Sequence, residues 1–316
     1  MKKVVISSRS FGSISNEPFA LLESAGFSHK FLDASASRET LMAELADSDA
    51  MIAGTVKIDA ELLGACKQLQ VIARYGAGVD NIDLNAAKAL GITVTNTAGV
   101  NAEAVADLAF GLILDVRRGI SRANQKVHQG QYKYVVGRDV YKKTLGLIGF
   151  GAIAQGVARR AAGFSMQVLA YDPYLKEIPA EFQSYVTLCG FDELVTQSDI
   201  VSIHVPLTPE TKAMFNTAVI QRMKADAALV NLGRGGIIDE ADLYTCMKAG
   251  HLLGAGLDVT AKEPIEPDNP LLTLDNVTIT PHMGMFTAEV IHTMSMVCAQ
   301  NVVKKFQGEA LDFVVV

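Results

Sequence analysis

Four cysteines, Cys66, Cys189, Cys246 and Cys298, are all that 316 residues contain, and no two of them form a C-x-x-C pair. That spacing supports neither a zinc ribbon nor a redox dithiol, so reduced buried thiols and no metal site are expected. Basic clusters are missing too. Lysine and arginine never run beyond a pair (Lys2-Lys3, Arg117-Arg118, Lys142-Lys143, Arg159-Arg160, Lys304-Lys305), and Lys+Arg 28 against Asp+Glu 34 leaves a net charge of −6. Nucleic acid and anionic membranes are bound through concentrated positive charge, so neither is an expected partner and a small ligand is. No apolar run approaches the roughly 18 residues of a spanning helix. The only apolar run near the N-terminus is Val4 to Ile6, too short for a signal-peptide core, and a cytoplasmic location is expected. Low-complexity linkers and internal repeats are absent as well.

What remains is 49% hydrophobic and 20% charged residues, a globular composition on a chain long enough to hold two cores. Short β-branched runs at Lys3 to Ser7, Ala50 to Gly54, Gln70 to Tyr75 and Ile92 to Asn96 alternate with helical patterns, which predicts a parallel α/β layout. At Asn101 the pattern changes to a long apolar-rich helix with Glu103 in its first turn, and a domain boundary is expected there. A second series follows: Thr144 to Gly149, Met166 to Asp172, Asp199 to Pro206, Ala227 to Gly233, Gly254 to Val259 and Val277 to Pro281. Six strands fit one doubly wound sheet. The last 30 residues carry Val290, Met294, Val297, Cys298 and Val302 at helical spacing, a helix expected to return to the first domain.

The sharpest local pattern is T-L-G-L-I-G-F-G-A-I-A, where the strand from Thr144 to Ile148 runs into Gly149-x-Gly151-x-x-Ala154 and then a helix. Gly149 permits the tight turn, Gly151 lets the backbone approach a pyrophosphate, and Ala154 stands where strand and helix pack closely. The amides opening the helix, at Ala152 and Ile153, are the expected phosphate donors. Such a turn is equally a plain strand-to-helix connection, and Asp172 decides between the two readings. It ends the next strand 18 residues after Ala154, where a carboxylate accepts from an adenosine ribose diol and repels a 2′-phosphate. No arginine occurs in Asp172-Pro173-Tyr174-Leu175-Lys176, so a Rossmann domain holding NAD rather than NADP is expected. Later strands also end in polar or turn-forming residues: His204-Val205-Pro206, Asn231 to Arg234, Asp258 and His282. Open α/β sheets bind ligands beyond the carboxyl ends of their strands, so these groups should converge.

Taken in order, RYGAGVDNIDL, NTAGVNAEAVADLA, KTLGLIGFGAIA, HVPLTPET, NLGRGGIIDE, GLDVTAKEP and TPHMG make the chain resemble the D-isomer-specific 2-hydroxyacid dehydrogenase family, which includes phosphoglycerate, glyoxylate/hydroxypyruvate and D-lactate dehydrogenases. The similar stretch runs from Leu69 to Gly284. The resemblance implies a Rossmann cofactor domain over residues 100–285, within a smaller flavodoxin-like α/β substrate domain of residues 1–99 completed by 286–316. It implies a homodimer, and nothing past Val316 that would serve as a regulatory domain. Interconversion of a small 2-keto acid and its D-2-hydroxy acid with NAD is the implied reaction. The implied catalytic trio is Arg234, Glu263 and His282. Arg74 with the loop Gly76, Ala77 and Gly78 is the implied substrate carboxylate site. His204, Pro206, Thr211, Leu232, Gly233, Asp258 and Gly284 complete the implied cofactor pocket, Asp258 on the nicotinamide amide.

Chemistry supports the trio's roles. Reducing a 2-keto acid needs a proton for the carbonyl oxygen while hydride reaches carbon, and an imidazole with an unperturbed pKa of about 6.5 suits that task. Glu263 would orient the ring and favour its protonated form, and Arg234 offers a planar fork to the carboxylate and carbonyl. Singly, each has an ordinary reading: a turn histidine, a loop acid and a surface arginine. Their ordered occurrence reverses that preference. Ala98 and Tyr132 depart from the family pattern, and Met285-Phe286-Thr287 replaces small residues with bulky ones that narrow or grease the pocket. Where phosphoglycerate-using relatives carry an arginine, this chain has Ala53-Gly54, so 3-phosphoglycerate is not the favoured substrate although Lys57 and Arg74 are available cations. Two rival readings remain: an NAD(H)-sensing corepressor-type protein without turnover, and a Rossmann methyltransferase.

Overall fold

The computed structural model describes residues 1–33 and 36–316, and the chain divides into two compact units, one of Met1–Asn101 with Met285–Val316 and one of Ala102–Gly284. In the first, β1 (Lys2–Ile6), β2 (Phe27–Phe31), β3 (Ala50–Ala53), β4 (Val71–Arg74) and β5 (Thr93–Thr95) form a parallel sheet in the order β2-β1-β3-β4-β5. The strand order reverses between β1 and β3, the flavodoxin-like arrangement. Helices α1 (Glu17–Ser24), α2 (Arg38–Leu45), α3 (Ala60–Ala65) and α4 (Leu84–Ala89) connect the strands. Three of them start where a side chain takes an otherwise unpaired amide: Ser37 accepts from Thr40, Asp59 from Leu62 and Asp83 from Ala86. Strand β2 escapes the sequence pattern because it lies at the sheet edge and buries only Phe27.

The second unit holds β6 (Thr144–Ile148), β7 (Gln167–Tyr171), β8 (Val186–Leu188), β9 (Ile200–Ile203), β10 (Ala228–Asn231), β11 (Gly254–Leu257) and β12 (Val277–Ile279), all parallel, in the order β12-β11-β10-β9-β6-β7-β8. This is the doubly wound order, reversing between β6 and β9. Its seventh strand, β8, is a three-residue edge strand beyond the six expected. The helices are α5 (Ala102–Arg118), α6 (Ile120–His128), α7 (Ala152–Gly163), α8 (Phe191–Gln197), α9 (Thr217–Ile220) and α10 (Glu240–Lys248). Alternate residues of each strand feed two apolar clusters, as the period of two demands. Leu145, Leu147, Val168 and Ala170 pack with residues of α5 and α7, whereas Ile148, Val201, Ile203 and Leu229 pack with Leu194, Ile220 and Leu243. With both faces covered, β9, β10 and β11 are buried along their whole length.

The density of apolar residues on α5 predicts a surface shared with a partner or another domain. Instead, Val105, Phe110, Leu112 and Ile113 are buried in this unit's own core and Leu108 packs against it, because α5 lies on α7, β10 and β11. Returning to the first unit, α11 (Ala288–Gln307) starts at Thr287, whose side chain accepts from Val290 N, and stops at Gly308 in a left-handed turn. It rests on α1, β3 and β4.

Candidate active site

Strand register brings the candidate cofactor residues to one edge. Ile148, Tyr171, Ile203, Asn231, Leu257 and Ile279 stand in a single row across the sheet of the second unit. The residues that step off that row are Gly149, Asp172, His204, Leu232, Asp258 and Thr280. Gly149 turns at φ +83° and donates its N–H to Tyr171 O at 2.8 Å; a Cβ there would stand 2.8 Å from Val205 Cγ1. Asp172 grips the turn from the neighbouring strand, its Oδ2 accepting from Phe150 N and its Oδ1 from Tyr174 N, both at 3.0 Å. Gly151 differs in kind: it precedes α7 with φ −74°, and a Cβ added to it would meet nothing within 4 Å.

These features fit a dinucleotide. Helix α7 carries no side-chain cap and no acid in its first turn, so nothing competes with an anion for the amides of Ala152 and Ile153. Open space in front of Gly151 admits the pyrophosphate, and each Asp172 oxygen keeps a lone pair for a ribose hydroxyl.

The trio assembles in the same unit. His282 Nδ1 and Glu263 Oε2 are 2.8 Å apart, and Glu263 Oε1 accepts from Thr260 N at 3.2 Å. Because the carboxylate accepts a hydrogen bond from Nδ1–H, Nε2 is left as the ring atom that exchanges a proton. Burial pushes the Glu263 carboxyl up, but the hydrogen bond and charge of His282, the Thr260 amide and the charge of Arg234 together hold it below the usual glutamate range. Arg234 donates Nη1 to Gly233 O at 2.8 Å. Its loop is set by Asn231, which the sequence marks only by its place at a strand end. That side chain is buried, accepts from Gly233 N at 2.9 Å and donates to Arg234 O at 3.0 Å. Gly235 is required where the loop crosses the 260s, since a Cβ would lie 2.0 Å from the Thr260 backbone.

Asp258, which the resemblance places on the nicotinamide amide, also braces a turn. Its Oδ1 accepts from Thr280 Oγ1 at 2.6 Å and Met283 N at 2.8 Å, and its Oδ2 from Gly284 N at 2.9 Å. Three donors on a side chain that is almost completely buried make it the brace of the turn bearing His282. The Gly284 amide is thereby spent internally. His204 turns its Nε2 to Ser202 Oγ at 2.8 Å while its Nδ1 is buried without a protein partner, and burial pushes its pKa down to about 3. A neutral ring follows. Thr211 Oγ1 donates to Pro206 O at 2.7 Å and exchanges hydrogen bonds with Thr208, shaping the loop after β9. Leu232 is buried and its amide reaches Ile203 O at 3.3 Å.

In the first unit, Arg74 ends β4 and Gly76 follows at φ +144°. The Gly76 amide is already donated, to Thr97 Oγ1 at 3.1 Å and Arg74 O at 3.0 Å, so of the loop's three amides only those of Ala77 and Gly78 stay as ligand candidates. Thr260, Thr280 and Asn81, like Asn231, support candidate residues, although no motif reading gave them a role. Thr280 and Asn231 had one visible signal, their place at a strand end. Among the described residues, no group of three His, Cys, Asp or Glu side chains is placed to hold a metal.

The family model for the NAD binding domain of D-isomer specific 2-hydroxyacid dehydrogenases matches residues 110–284. The chain belongs to the D-isomer specific 2-hydroxyacid dehydrogenase family. It is 42% identical over 275 residues to a D-3-phosphoglycerate dehydrogenase of Archaeoglobus fulgidus, covering 86% of this chain and 52% of that one. It is 40% identical over 284 residues to a glyoxylate reductase of Korarchaeum cryptofilum, covering 88% and 85% respectively. The chain thus spans about half the length of the phosphoglycerate dehydrogenase and most of the length of the reductase. A solved structure of a Thermus thermophilus protein superposes with a TM-score of 0.92 at 34% identity, over 99% of this chain and 100% of that one. Family, α/β fold and NAD as cofactor therefore stand as the sequence predicts, and NAD-dependent hydride transfer at a CH–OH group is the chemistry of this dehydrogenase family.

Proposed function

We propose that the protein is an NAD-dependent dehydrogenase that interconverts a small 2-keto acid and its D-2-hydroxy acid. One observation carries this reading: the 2.8 Å His282–Glu263 pair leaves Nε2 as a proton-exchanging atom in the same unit as a dinucleotide-type turn. A cofactor-sensing protein needs the turn but not the pair. Gly149, Gly151, Ala152, Ile153 and Asp172 hold the cofactor, and bound there NAD(H) supplies or accepts the hydride. His204, Pro206, Thr211, Leu232 and Gly233 wall the pocket. His282 Nε2 gives a proton to the carbonyl oxygen in reduction and takes it back in oxidation. Glu263 orients the ring and offsets its charge, and the Arg234 fork holds the carboxylate and carbonyl. In the smaller unit, the Arg74 guanidinium and the amides of Ala77 and Gly78 are groups suited to a carboxylate. The purified protein should oxidise NADH when given glyoxylate, hydroxypyruvate or pyruvate; no turnover across such a panel would leave the cofactor-sensing reading standing.

A homodimer is part of this proposal. No residue of α6 is buried, and Tyr132 and Tyr134 in the segment that follows are 87% and 92% exposed, with Val127 and Val136 also open. Apolar groups concentrated on one short stretch support a second copy as their cover. No helix among the described residues is long and apolar enough to cross a membrane, and the four unpaired cysteines support a cytoplasmic location.

A further inference from the structure

Asn81 joins two loops at the carboxyl edge of the first unit's sheet. Its Nδ2 donates to Gly54 O at 3.1 Å and to Val56 O at 2.7 Å, both in the loop after β3, while its Oδ1 accepts from Arg74 Nε at 3.3 Å at the end of β4. Those partners fix which way the amide points, since only its nitrogen can donate to carbonyls. The backbone repeats the connection, with Ile58 N donating to Asn81 O at 2.7 Å. The loop after β3 is anchored at its other side as well: Gly54 N donates to Ser7 Oγ at 3.1 Å, and a Cβ on Gly54 would come within 2.5 Å of Ser7 O.

The guanidinium of Arg74 is held from a second direction. Its Nη1 donates to Tyr75 O, and a Cβ on Gly76 would stand 2.6 Å from that same nitrogen, so glycine is what allows the fork to lie over the loop. An arginine has a long flexible stem, and a free one must be ordered when a carboxylate arrives; one already fixed at Nε and Nη1 has lost that freedom beforehand. We infer that Asn81 is a positioning residue, which presets the Arg74 fork for a 2-keto acid carboxylate by tying it to the loop after β3. The inference rests on the assignment of Arg74 as a carboxylate contact.

The test is a double-mutant cycle read by calorimetric titration with oxalate, a non-reducible probe carrying the same carboxylate, in the presence of NADH. Asn81→Ala should weaken oxalate binding roughly tenfold in the parent and by less than about twofold in an Arg74→Ala background, because its effect passes through Arg74. Asn81→Asp keeps an acceptor for Nε while losing both donors, so it should bind oxalate closer to the parent than Asn81→Ala does, yet melt lower. Equal weakening in both backgrounds, or Asn81→Asp binding as poorly as Asn81→Ala, would make Asn81 a scaffold residue only and overturn the inference. A parent that binds no oxalate overturns it too. Turnover of glyoxylate by the parent separates the two readings: non-additive oxalate binding without turnover would keep the Asn81–Arg74 coupling and remove the proposed activity.

Discussion

His282 adopts φ +52°, a backbone region that a β-carbon resists. Asp258 holds it there from both sides, through Thr280 before the histidine and through the amides of Met283 and Gly284 after it. If the ring donates the proton, His282→Ala should lower kcat by roughly 10²- to 10⁴-fold with NADH affinity nearly intact, which steady-state kinetics and a fluorescence titration would check. Glu263 gives a pH signature. A carboxyl held below its unfolded value contributes stability above about pH 4.3, and the contribution fades as pH falls through the depressed folded value. The parent should therefore melt above Glu263→Gln near neutrality, by little because the carboxylate is 40% exposed, and the two curves should meet in acid. His204 has the opposite charge logic. Its ring is neutral in the fold but protonates in the unfolded chain at about pH 6.5, so stability is lost as pH drops from there toward 3. Its ring resonances should not move between about pH 8 and 5, and His204→Gln should flatten the melting profile over that range.

At the scale of elements, two glycines of one turn should respond differently to the same methyl group. Gly149→Ala places a Cβ at φ +83° against Val205 and the His204 carbonyl, so it should cost about 1 to 3 kcal/mol of stability. Gly151→Ala has room and an ordinary φ, so its melting temperature should hold while NADH binding weakens, because the methyl occupies the approach to α7. This contrast explains what the sequence made legible. Gly149, Gly151 and Asp172 are visible because the turn demands glycine and the strand ends in an acid. Arg234 and His282 are visible as strand-end groups but gain their roles only from the ordered family pattern, and Glu263 is visible only through that pattern, since it lies in a loop 19 residues from the ring it orients. Strands β2 and β8 are hidden, one because its residues face outward and the other because three residues show no period. The Asn231 and Asp258 braces are hidden for another reason. Each satisfies backbone amides of a turn, and which amide is spare depends on where the chain has already folded. The spent amide of Gly76 belongs to the same class.

For the whole molecule, replacing Tyr132, Tyr134 and Val136 together by serine should convert a dimer into a monomer by light scattering at micromolar concentration without lowering the melting temperature of either unit's core. A parent that is itself monomeric would remove the dimer proposal. The order of the units along the chain carries a consequence for biosynthesis. Residues 102–284 form one unit without interruption, whereas the other is made of residues 1–101 and 285–316. A ribosome therefore releases β1 to β5 long before α11, the helix that rests on β3, β4 and α1. Ile52, Val71 and Ala73, on the sheet face opposite the Met51–Ile72 cluster that α2 and α3 cover, wait partly uncovered while the whole second unit is translated and able to fold. Nascent chains arrested just after the second unit has emerged should thus show protease-resistant residues 102–284 and a cleavable N-terminal third. Resistance of that third should appear only once Gln307 has cleared the exit tunnel, making the last helix the timer of the first unit's maturation.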